Sequence, residues 1–254
     1  MNSRVSPEDG ACSCIIHSLI LEALVHGVIQ QRFSLSLTYL FLYNLLQFCG
    51  HTWVFANMTA RFLSFGEDAQ AGTFYFVGVM MGACQLLSLL ELFHIADGFE
   101  ECRLFPRFMQ VMERNVLLFL LISLEEFRSK PIVCVQFYLW NILGLLRYPN
   151  ELFCVIGTPY FKMLWVHQTL SIPVYLLSAV TEGISILYML LYFSESEGMD
   201  SVRLKVPASM YIYSPYVLMG WLLLLVLGSS LTVILLLKER KQNLESWNKK
   251  LKND

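Results

Sequence analysis

Long stretches without a charged side chain constrain this sequence more than any other feature. The segments Lys205–Lys238 and Asp68–Glu91 contain no Asp, Glu, Lys, Arg or His between their end residues, and Lys162–Glu182 contains only His167 and Tyr175 as ionisable side chains. About 20 consecutive apolar residues form a helix that crosses the ~30 Å hydrocarbon core of a bilayer. The sequence therefore predicts an all-α, polytopic membrane helical bundle rather than a soluble domain.

Hydropathy predicts about six transmembrane helices. The third is the weakest, because it contains Arg107, Glu113 and Arg114. The six segments are Ser34–Met58, Thr73–Phe93, Phe105–Leu124, Pro131–Leu146, Trp165–Phe193 and Pro215–Leu237. They imply a transmembrane domain at 34–237, an N-terminal extension at 1–33 that includes a possible interfacial helix, and a basic cytosolic tail at 238–254.

The unequal distribution of Lys and Arg predicts the orientation of the chain. With both termini in the cytosol, eleven basic residues lie on the cytosolic side and five on the other. The C-terminus, Lys250-Leu-Lys252-Asn-Asp, resembles a dilysine signal for retention in the endoplasmic reticulum, although a plain basic flank also explains it. The charge distribution therefore predicts a multi-pass membrane protein with both termini in the cytosol, and the tail alone leaves retention in the endoplasmic reticulum open.

Composition and motifs argue against several classes of site. The net charge is −2, and no basic stripe with interleaved aromatic residues suggests a nucleic-acid partner. The sequence has no glycine-rich dinucleotide motif and no phosphate loop. Cys12, Cys14 and His17 supply three metal ligands without a fourth at a usual spacing. Glu91 and His94 have the spacing found in di-iron bundles, but no second copy follows. We expect neither a metal nor a cofactor.

Polar residues within the predicted spans are the candidates for function, because polar groups are costly in lipid and face the bundle interior. A polar network that only holds the helices together is the alternative. The candidates are Glu91 and His94 in the second span, Gln110 and Arg114 in the third, and Tyr175 and Glu182 in the fifth. Glu91 and His94 lie three residues apart on one helix face, and we expect Arg114 and Gln110 on the next helix to be their partners.

Tyr175 and Glu182 have a spacing that suits acid–base chemistry. Seven residues are nearly two helical turns, so both side chains lie on one face, about 10 Å apart along the axis. A buried carboxylate can act as a general base or acid, and a phenol is a hydrogen-bond donor. Together they could remove a proton and assist a departing hydroxyl without a cofactor.

The order of several sequence pieces resembles one known family, the very-long-chain (3R)-3-hydroxyacyl-CoA dehydratases, also described as protein tyrosine phosphatase-like proteins. The resemblance covers roughly residues 39–237, and the stretch Gln47–Trp53 is most similar to the divergent fourth vertebrate branch. The pieces are Tyr43-Asn44, Gln85–His94 with Gly98, Pro106–Val111 with Arg114, Trp140, Arg147-Tyr148, and Tyr175 with Glu182.

The resemblance implies a location in the endoplasmic reticulum membrane and the third step of fatty-acid elongation, in which a (3R)-3-hydroxyacyl-CoA loses water. It implies that Glu182 takes the C2 proton and Tyr175 binds the departing hydroxyl, or the reverse. Substrate-binding or supporting roles fall to Glu91, His94, Gln110, Arg114, Arg147 and Tyr148, and Arg103 and Arg107 join Arg147 near the CoA head. The implied partners are the acyl-CoA, the lipid bilayer, and the elongase and reductase components of the same membrane, with no nucleic acid.

Two departures from the family pattern keep a second function open. Leu176–Ala179 stands where Pro and Gly usually follow the tyrosine, and Gly144 stands where an acidic residue usually precedes Arg147-Tyr148. The alternative to an enzyme is a weakly active or inactive dehydratase-like scaffold that regulates elongase partners. A small transporter is disfavoured, because no inverted repeat is present.

Overall fold

In the computed structural model, the backbone is described for residues 7–98, 103–157, 161–195, 203–205 and 211–253. Side chains are described for residues 35–70, 72–98, 103–157, 162–192 and 216–246. The chain divides into two compact units, Met1–Tyr43 and Asn44–Asp254. All the candidate site residues belong to the second unit.

Helices account for nearly all of the described backbone. They are α1 (Pro7–Phe65), α2 (Asp68–Ala71), α3 (Thr73–Leu87), α4 (Leu89–Ala96), α5 (Leu104–Ser123), α6 (Pro131–Val155), α7 (Phe161–Glu195) and α8 (Ser214–Asn253). A 3-10 turn, Glu125–Phe127, lies between α5 and α6, and β1 (Arg203–Lys205) pairs antiparallel with β2 (Tyr211–Tyr213) before α8. The predicted helical fold is confirmed, with one short hairpin added.

Four of the six predicted spans lie within single helices, and the third ends one residue beyond α5. The second, Thr73–Phe93, covers α3 and most of α4, with a turn at Ser88 between them. Three helical segments of the described chain are long and apolar enough to cross a membrane: Thr73–Ala96, Lys162–Tyr192 and Tyr216–Ser246. These three support a membrane protein. The spans on α1, α5 and α6 stay predictions.

The surface of α8 shows how the bundle meets its surroundings. Only 17% of its most apolar 18-residue window is buried, and Leu223 and Leu227 are 63% and 64% exposed. A contiguous apolar surface of this kind favours association in water, whereas lipid acyl chains solvate it. The polar side chains Glu91 and Glu113 are instead buried at 1% exposure each. Apolar groups outside and ionisable groups inside are the distribution expected for membrane helices.

The interior is built mainly by α5, α6 and α7. Helix α6 packs against α7, α7 against α8, and α5 against α3, α4 and α8. Phe137 and Trp140 of α6 are fully buried and share one apolar core with Leu117 of α5 and with Ile186 and Met189 of α7. This packing turns one face of each of these helices toward a common interior, where the polar candidates also lie.

The ends of α6, α8 and α1 show where the helical backbone stops and where it continues. Gly157 ends α6 with φ 77°, a left-handed conformation that glycine adopts without steric cost. Helix α8 continues to Asn253, so the backbone has no break where the basic tail was expected to begin. Helix α1 begins at Pro7 within the expected N-terminal extension. The side chains of Cys12, Cys14 and His17 lie outside the described residues, and the domain boundaries stay predictions.

Candidate active site

The two residues of the predicted catalytic pair lie on the inner face of α7. Tyr175 and Glu182 are each 2% exposed, and they are close enough to interact electrostatically. Ser178 and Ala179, which lie between them on the helix, are also buried. The sequence argument for one shared face therefore agrees with the structure, while the catalytic role of the pair stays a prediction.

Glu182 has two unequal carboxylate oxygens. Oε1 accepts hydrogen bonds from Gln136 Nε2 (3.1 Å), Trp140 Nε1 (3.0 Å) and Ser178 Oγ (3.1 Å). Oε2 is buried and has no hydrogen-bond partner within the described part of the chain. Three donors on one oxygen stabilise the ionised carboxylate, because hydrogen bonds to a charged acceptor are the strong ones. The other oxygen keeps its lone pairs for an incoming proton.

Gln136 of α6 is held with its amide nitrogen toward Glu182. Gln136 Nε2 also donates to Ser178 Oγ at 2.9 Å, and Gln136 Oε1 accepts a hydrogen bond from Thr181 Oγ1. Both ends of the amide are thus satisfied, and a flipped amide would lose these bonds. The network fixes the position of Glu182 Oε1 from two helices.

Ser178 forms a hydrogen bond within the stretch where the sequence first departs from the family pattern. It falls within Leu176–Ala179, where Pro and Gly were expected, and its hydroxyl donates to Glu182 four residues later at 3.1 Å. Helix α7 runs unbroken through this stretch. The departure therefore supplies a donor to the carboxylate instead of disturbing the helix that carries it.

The phenol of Tyr175 is hydrogen-bonded to Glu113 of α5. Tyr175 Oη donates to Glu113 Oε2 at 3.0 Å and lies 3.2 Å from Oε1. Glu113 is 1% exposed. Glu113 was noted in the sequence only as a charge that weakens the third span, and it was not among the predicted site residues.

Arg114 supplies positive charge to the same region. It is 6% exposed and interacts electrostatically with Glu113 and Glu182. No hydrogen bond or ion pair of its guanidinium occurs among the described side chains. A buried cation without a close partner is costly, so this position is suited to a ligand oxygen.

A second buried cluster surrounds Glu91 of α4. Arg107 Nε donates to Glu91 Oε2 at 2.6 Å, and Arg147 Nη2 lies 3.2 Å from the same oxygen. Tyr148 Oη donates to Glu91 Oε1 at 2.7 Å. Two guanidinium groups therefore face the carboxylate of Glu91 in this cluster.

The partners of Glu91 differ from those expected. The sequence suggested Arg114 and Gln110 as partners of Glu91 and His94, but Arg107 pairs with Glu91, and Gln110 Oε1 accepts from Arg107 Nη1 at 3.3 Å. Arg107 lies seven residues before Arg114, nearly two turns along the same face. His94 is buried at 5% exposure. The substrate-binding or supporting roles stay predictions.

Gly144 leaves room for an aromatic ring from α1. A Cβ at Gly144 would lie 2.7 Å from His51 Cγ. His51 stacks on Tyr148 with ring centroids 5.4 Å apart, and His51 Nδ1 shares a hydrogen bond with Asn141 Oδ1 at 2.9 Å. The imidazole of His51 thus occupies the space beside Gly144, and Arg147 forms an ion pair with Glu91. The missing acidic residue does not leave Arg147 unpaired.

No group of three or more His, Cys, Asp and Glu side chains in the described part of the chain could hold a metal ion. Glu113 and Glu182 come near each other without a third ligand of these types. The carboxyl and phenol groups of the cluster are capable of proton transfer.

Three residues of the cluster were missed by the sequence argument: Glu113, Gln136 and Ser178. Glu113 and Gln136 are polar residues inside predicted spans, so the criterion that selected Arg114 also applies to them. Ser178 carried no such signal, because serine is common in membrane helices and bonds back to its own helix. Its contact with Glu182 becomes visible only when α6 and α7 are packed.

Comparison with known proteins places the chain in a family. The family described as protein tyrosine phosphatase-like protein, PTPLA, matches residues 85–246. A mouse protein named very-long-chain (3R)-3-hydroxyacyl-CoA dehydratase 4 is 47% identical over 216 residues, which cover 85% of this chain and 92% of the relative. The human protein of the same name is 45% identical over 204 residues, covering 80% and 87%.

A more distant vertebrate gives a similar result. A Xenopus laevis protein named very-long-chain (3R)-3-hydroxyacyl-CoA dehydratase is 44% identical over 217 residues, covering 85% of this chain and 99% of the relative. No solved structure matches. The family match spans both buried clusters, from Glu91 to Glu182, and on this identity and coverage the chain belongs to the protein tyrosine phosphatase-like (PTPLA) family.

Proposed function

We propose that this protein is a very-long-chain (3R)-3-hydroxyacyl-CoA dehydratase of the endoplasmic reticulum membrane. It converts its substrate into the trans-2-enoyl-CoA, the third step of fatty-acid elongation. The names of the relatives supply the reaction and the substrate class. The carboxylate of Glu182 carries the proposal, because one oxygen accepts from three donors and the other is buried with no hydrogen-bond partner among the described residues.

The reaction is a redox-neutral elimination. Glu182 Oε2 takes the proton from C2, the C–H electron pair forms the C2=C3 double bond, and the C3–O bond breaks. The Tyr175 hydroxyl donates to the departing oxygen, which leaves as water. Two features favour this assignment over one in which Tyr175 is the base and Glu182 binds the hydroxyl. Glu182 Oε2 has no hydrogen-bond partner among the described residues, and a phenol is a hydrogen-bond donor.

Arg114 supports the same step by electrostatics. Removal of the C2 proton places negative charge on the thioester oxygen, and a preorganised cation in a dry site stabilises such charge. Arg114 is buried, lies near Glu113 and Glu182, and forms no ion pair within the described residues. We assign it to the thioester oxygen.

The cluster around Glu91 suits the CoA end of the substrate. Arg107 and Arg147 both contact Glu91, and guanidinium groups are well suited to bind the phosphates of a polyanion. Arg103, at 37% exposure, pairs with Glu239 at 3.2 Å near the same end of α5. The acyl chain, being apolar, lies within the bilayer.

The proposal includes six membrane spans with both termini in the cytosol. This places the basic side chains of the Glu91 cluster on the side where acyl-CoA and the elongase and reductase partners meet. A glycosylation acceptor grafted into Ser194–Ser209 is expected to be modified, and one grafted after Lys252 is not. The opposite pattern would invert the orientation and remove the support for a cytosolic CoA site.

The two departures from the family pattern that keep the scaffold alternative open involve Ser178 and Gly144. Ser178 donates to Glu182, and Gly144 accommodates His51, so both departures have a role in the folded chain. Turnover by the isolated protein separates the two functions.

The experiment is dehydration by the purified full-length protein in detergent. Saturated 3-hydroxyacyl-CoA substrates of several chain lengths are offered as separate (3R) and (3S) isomers, and the enoyl product is measured by mass spectrometry. We expect trans-2-enoyl-CoA from the (3R) isomer, with slower turnover when deuterium replaces hydrogen at C2. A folded protein that yields no product at any chain length would contradict the proposal and leave the scaffold function.

A further inference from the structure

Glu113 stands outside the catalytic pair, yet it is bonded to that pair. Its carboxyl contacts the Tyr175 hydroxyl at 3.0 and 3.2 Å, and it is buried at 1% exposure. Tyr175 must therefore donate to a substrate from a position that already includes a second acidic group. Because burial of a carboxyl group within a membrane costs free energy, we expect this contact to serve a function.

The two buried carboxyl groups have different surroundings. Glu182 Oε1 accepts from Gln136, Trp140 and Ser178, which favours its ionised form. In the described part of the chain, Glu113 has no ion pair, and its one hydrogen-bond partner is Tyr175. An unpaired ionised carboxylate is strongly disfavoured in an apolar interior, so Glu113 holds a proton. When two neighbouring carboxyl groups have such unequal environments, the protonated one acts as the acid and the ionised one as the base. Here Glu113 is the acid and Glu182 the base.

We propose that Glu113 supplies the proton that replaces the one Tyr175 gives up, so that Glu113, Tyr175 and the departing hydroxyl form one proton relay. The inference rests on the proposed dehydratase function and deepens it. Glu113 touches the phenol and not the substrate, so it acts through Tyr175 as a positioning and proton-supplying residue.

The relay conserves atoms and charge. Glu182 gains the C2 proton as the C2=C3 bond forms, and the C3–O bond breaks with its electron pair on oxygen. With substrate bound, the phenol O–H turns from Glu113 to the departing oxygen, and the protonated carboxyl of Glu113 donates to Tyr175 Oη instead. Tyr175 then gives its proton to the departing oxygen to form water, and Glu113 returns a proton to Tyr175. The two carboxyl groups hold one proton between them before and after turnover. Transfer of that proton from Glu182 back to Glu113 resets the site.

Infrared spectroscopy tests where the proton resides without any need for turnover. A protonated carboxylic acid gives a C=O band distinct from that of a carboxylate. We expect the unliganded wild type to show this band, Glu113→Gln to lose it, and Glu182→Gln to retain it. If the band survives in Glu113→Gln and disappears in Glu182→Gln, the proton is on the wrong carboxyl for this relay, and the proposal fails.

Kinetics tests whether the proton matters for the departing group. Glu113→Gln preserves the shape and a hydrogen bond to Tyr175 but cannot supply a proton. With (3R)-3-hydroxyacyl-CoA, kcat is expected to fall by about 10²-fold, the lower range for a positioned proton donor, at an unchanged KM. With (3R)-3-chloroacyl-CoA of equal chain length, where chloride leaves without a proton, the loss is expected to stay below about threefold.

Controls separate the relay from damage to the fold. Glu125→Gln changes an exposed glutamate (78% exposed side chain) and is expected to match the wild type with both substrates. In a Tyr175→Phe background, Glu113→Gln is expected to have little further effect, because residues that act as a unit are non-additive. Equal losses with both substrates would make Glu113 purely structural, and full activity of Glu113→Gln would also contradict the relay. An inactive wild type would instead reject the dehydratase function, while the infrared result would still locate the proton.

Discussion

Replacement of Glu91 by alanine removes the carboxylate that holds two arginines inside the bundle. Arg107 is 5% exposed and Arg147 14% exposed. Tyr148 also loses the acceptor that lies 2.7 Å from its hydroxyl. Two mutually repelling cations would then share a site from which water is largely excluded.

The cost follows from the burial of these groups. Breaking a buried ion pair by removing one partner costs about 3–5 kcal/mol, because the other charge is left uncompensated. For a chain of roughly this size, each kcal/mol lowers the thermal midpoint by about 2–4 °C. Glu91→Ala is therefore expected to lower the midpoint by about 6–20 °C and to reduce the amount of protein that accumulates.

Glu239→Ala is the matched control, because Glu239 pairs with Arg103 at 3.2 Å in a position where both side chains are partly exposed (37% and 29%). An exposed pair contributes about 0.2–1 kcal/mol, so this variant should shift the midpoint by at most a few degrees. The assay is the monomer fraction that remains after heating in detergent, with turnover per folded molecule measured in parallel. Equal shifts for the two variants would refute the reasoning, and a stable Glu91→Ala protein without turnover would move Glu91 into the catalytic group.

Two further substitutions test the network around the site. Ser178→Ala removes one of the three donors to Glu182 Oε1, and the loss of one such bond predicts a roughly tenfold lower kcat at an unchanged KM; an unaltered rate would mean that Ser178 does not hold the carboxylate. Gly144→Ala puts a Cβ 2.7 Å from His51 Cγ, and overpacking should cost about 1–3 kcal/mol in thermal stability. His51→Ala in the same chain should recover part of that loss, and strict additivity of the two effects would show that the ring and the new methyl do not meet.

The helical fold was predictable because it depends on local patterns. The uncharged segments ending at Glu91 and Glu182 are long enough to form spans, and the structure has helices there. The shared face of Tyr175 and Glu182 follows from helix geometry alone. Such inferences need no knowledge of which helices are neighbours.

The partners of these residues were not predictable in the same way. The donors Gln136 and Trp140 lie 46 and 42 residues from Glu182, and their contact depends on the rotation of α6 against α7. The choice of Arg107 over Arg114 for Glu91 is a similar case, because both arginines lie on one face of α5 and only the packing of α4 selects between them. Glu113 was visible as a polar residue in a span, but its bond to Tyr175 also required the packed helices.

The proposed dehydratase function depends most directly on Tyr175 and Glu182 as the reacting pair. The test compares purified wild type, Tyr175→Phe, Glu182→Gln and the double variant for dehydration of a long-chain (3R)-3-hydroxyacyl-CoA, with substrate binding measured separately. Each single variant should keep the fold and bind substrate, and each should lose about 10²–10⁴-fold in rate. The double variant should be little slower than either single one. An active wild type whose single variants both retain its rate would contradict the assignment.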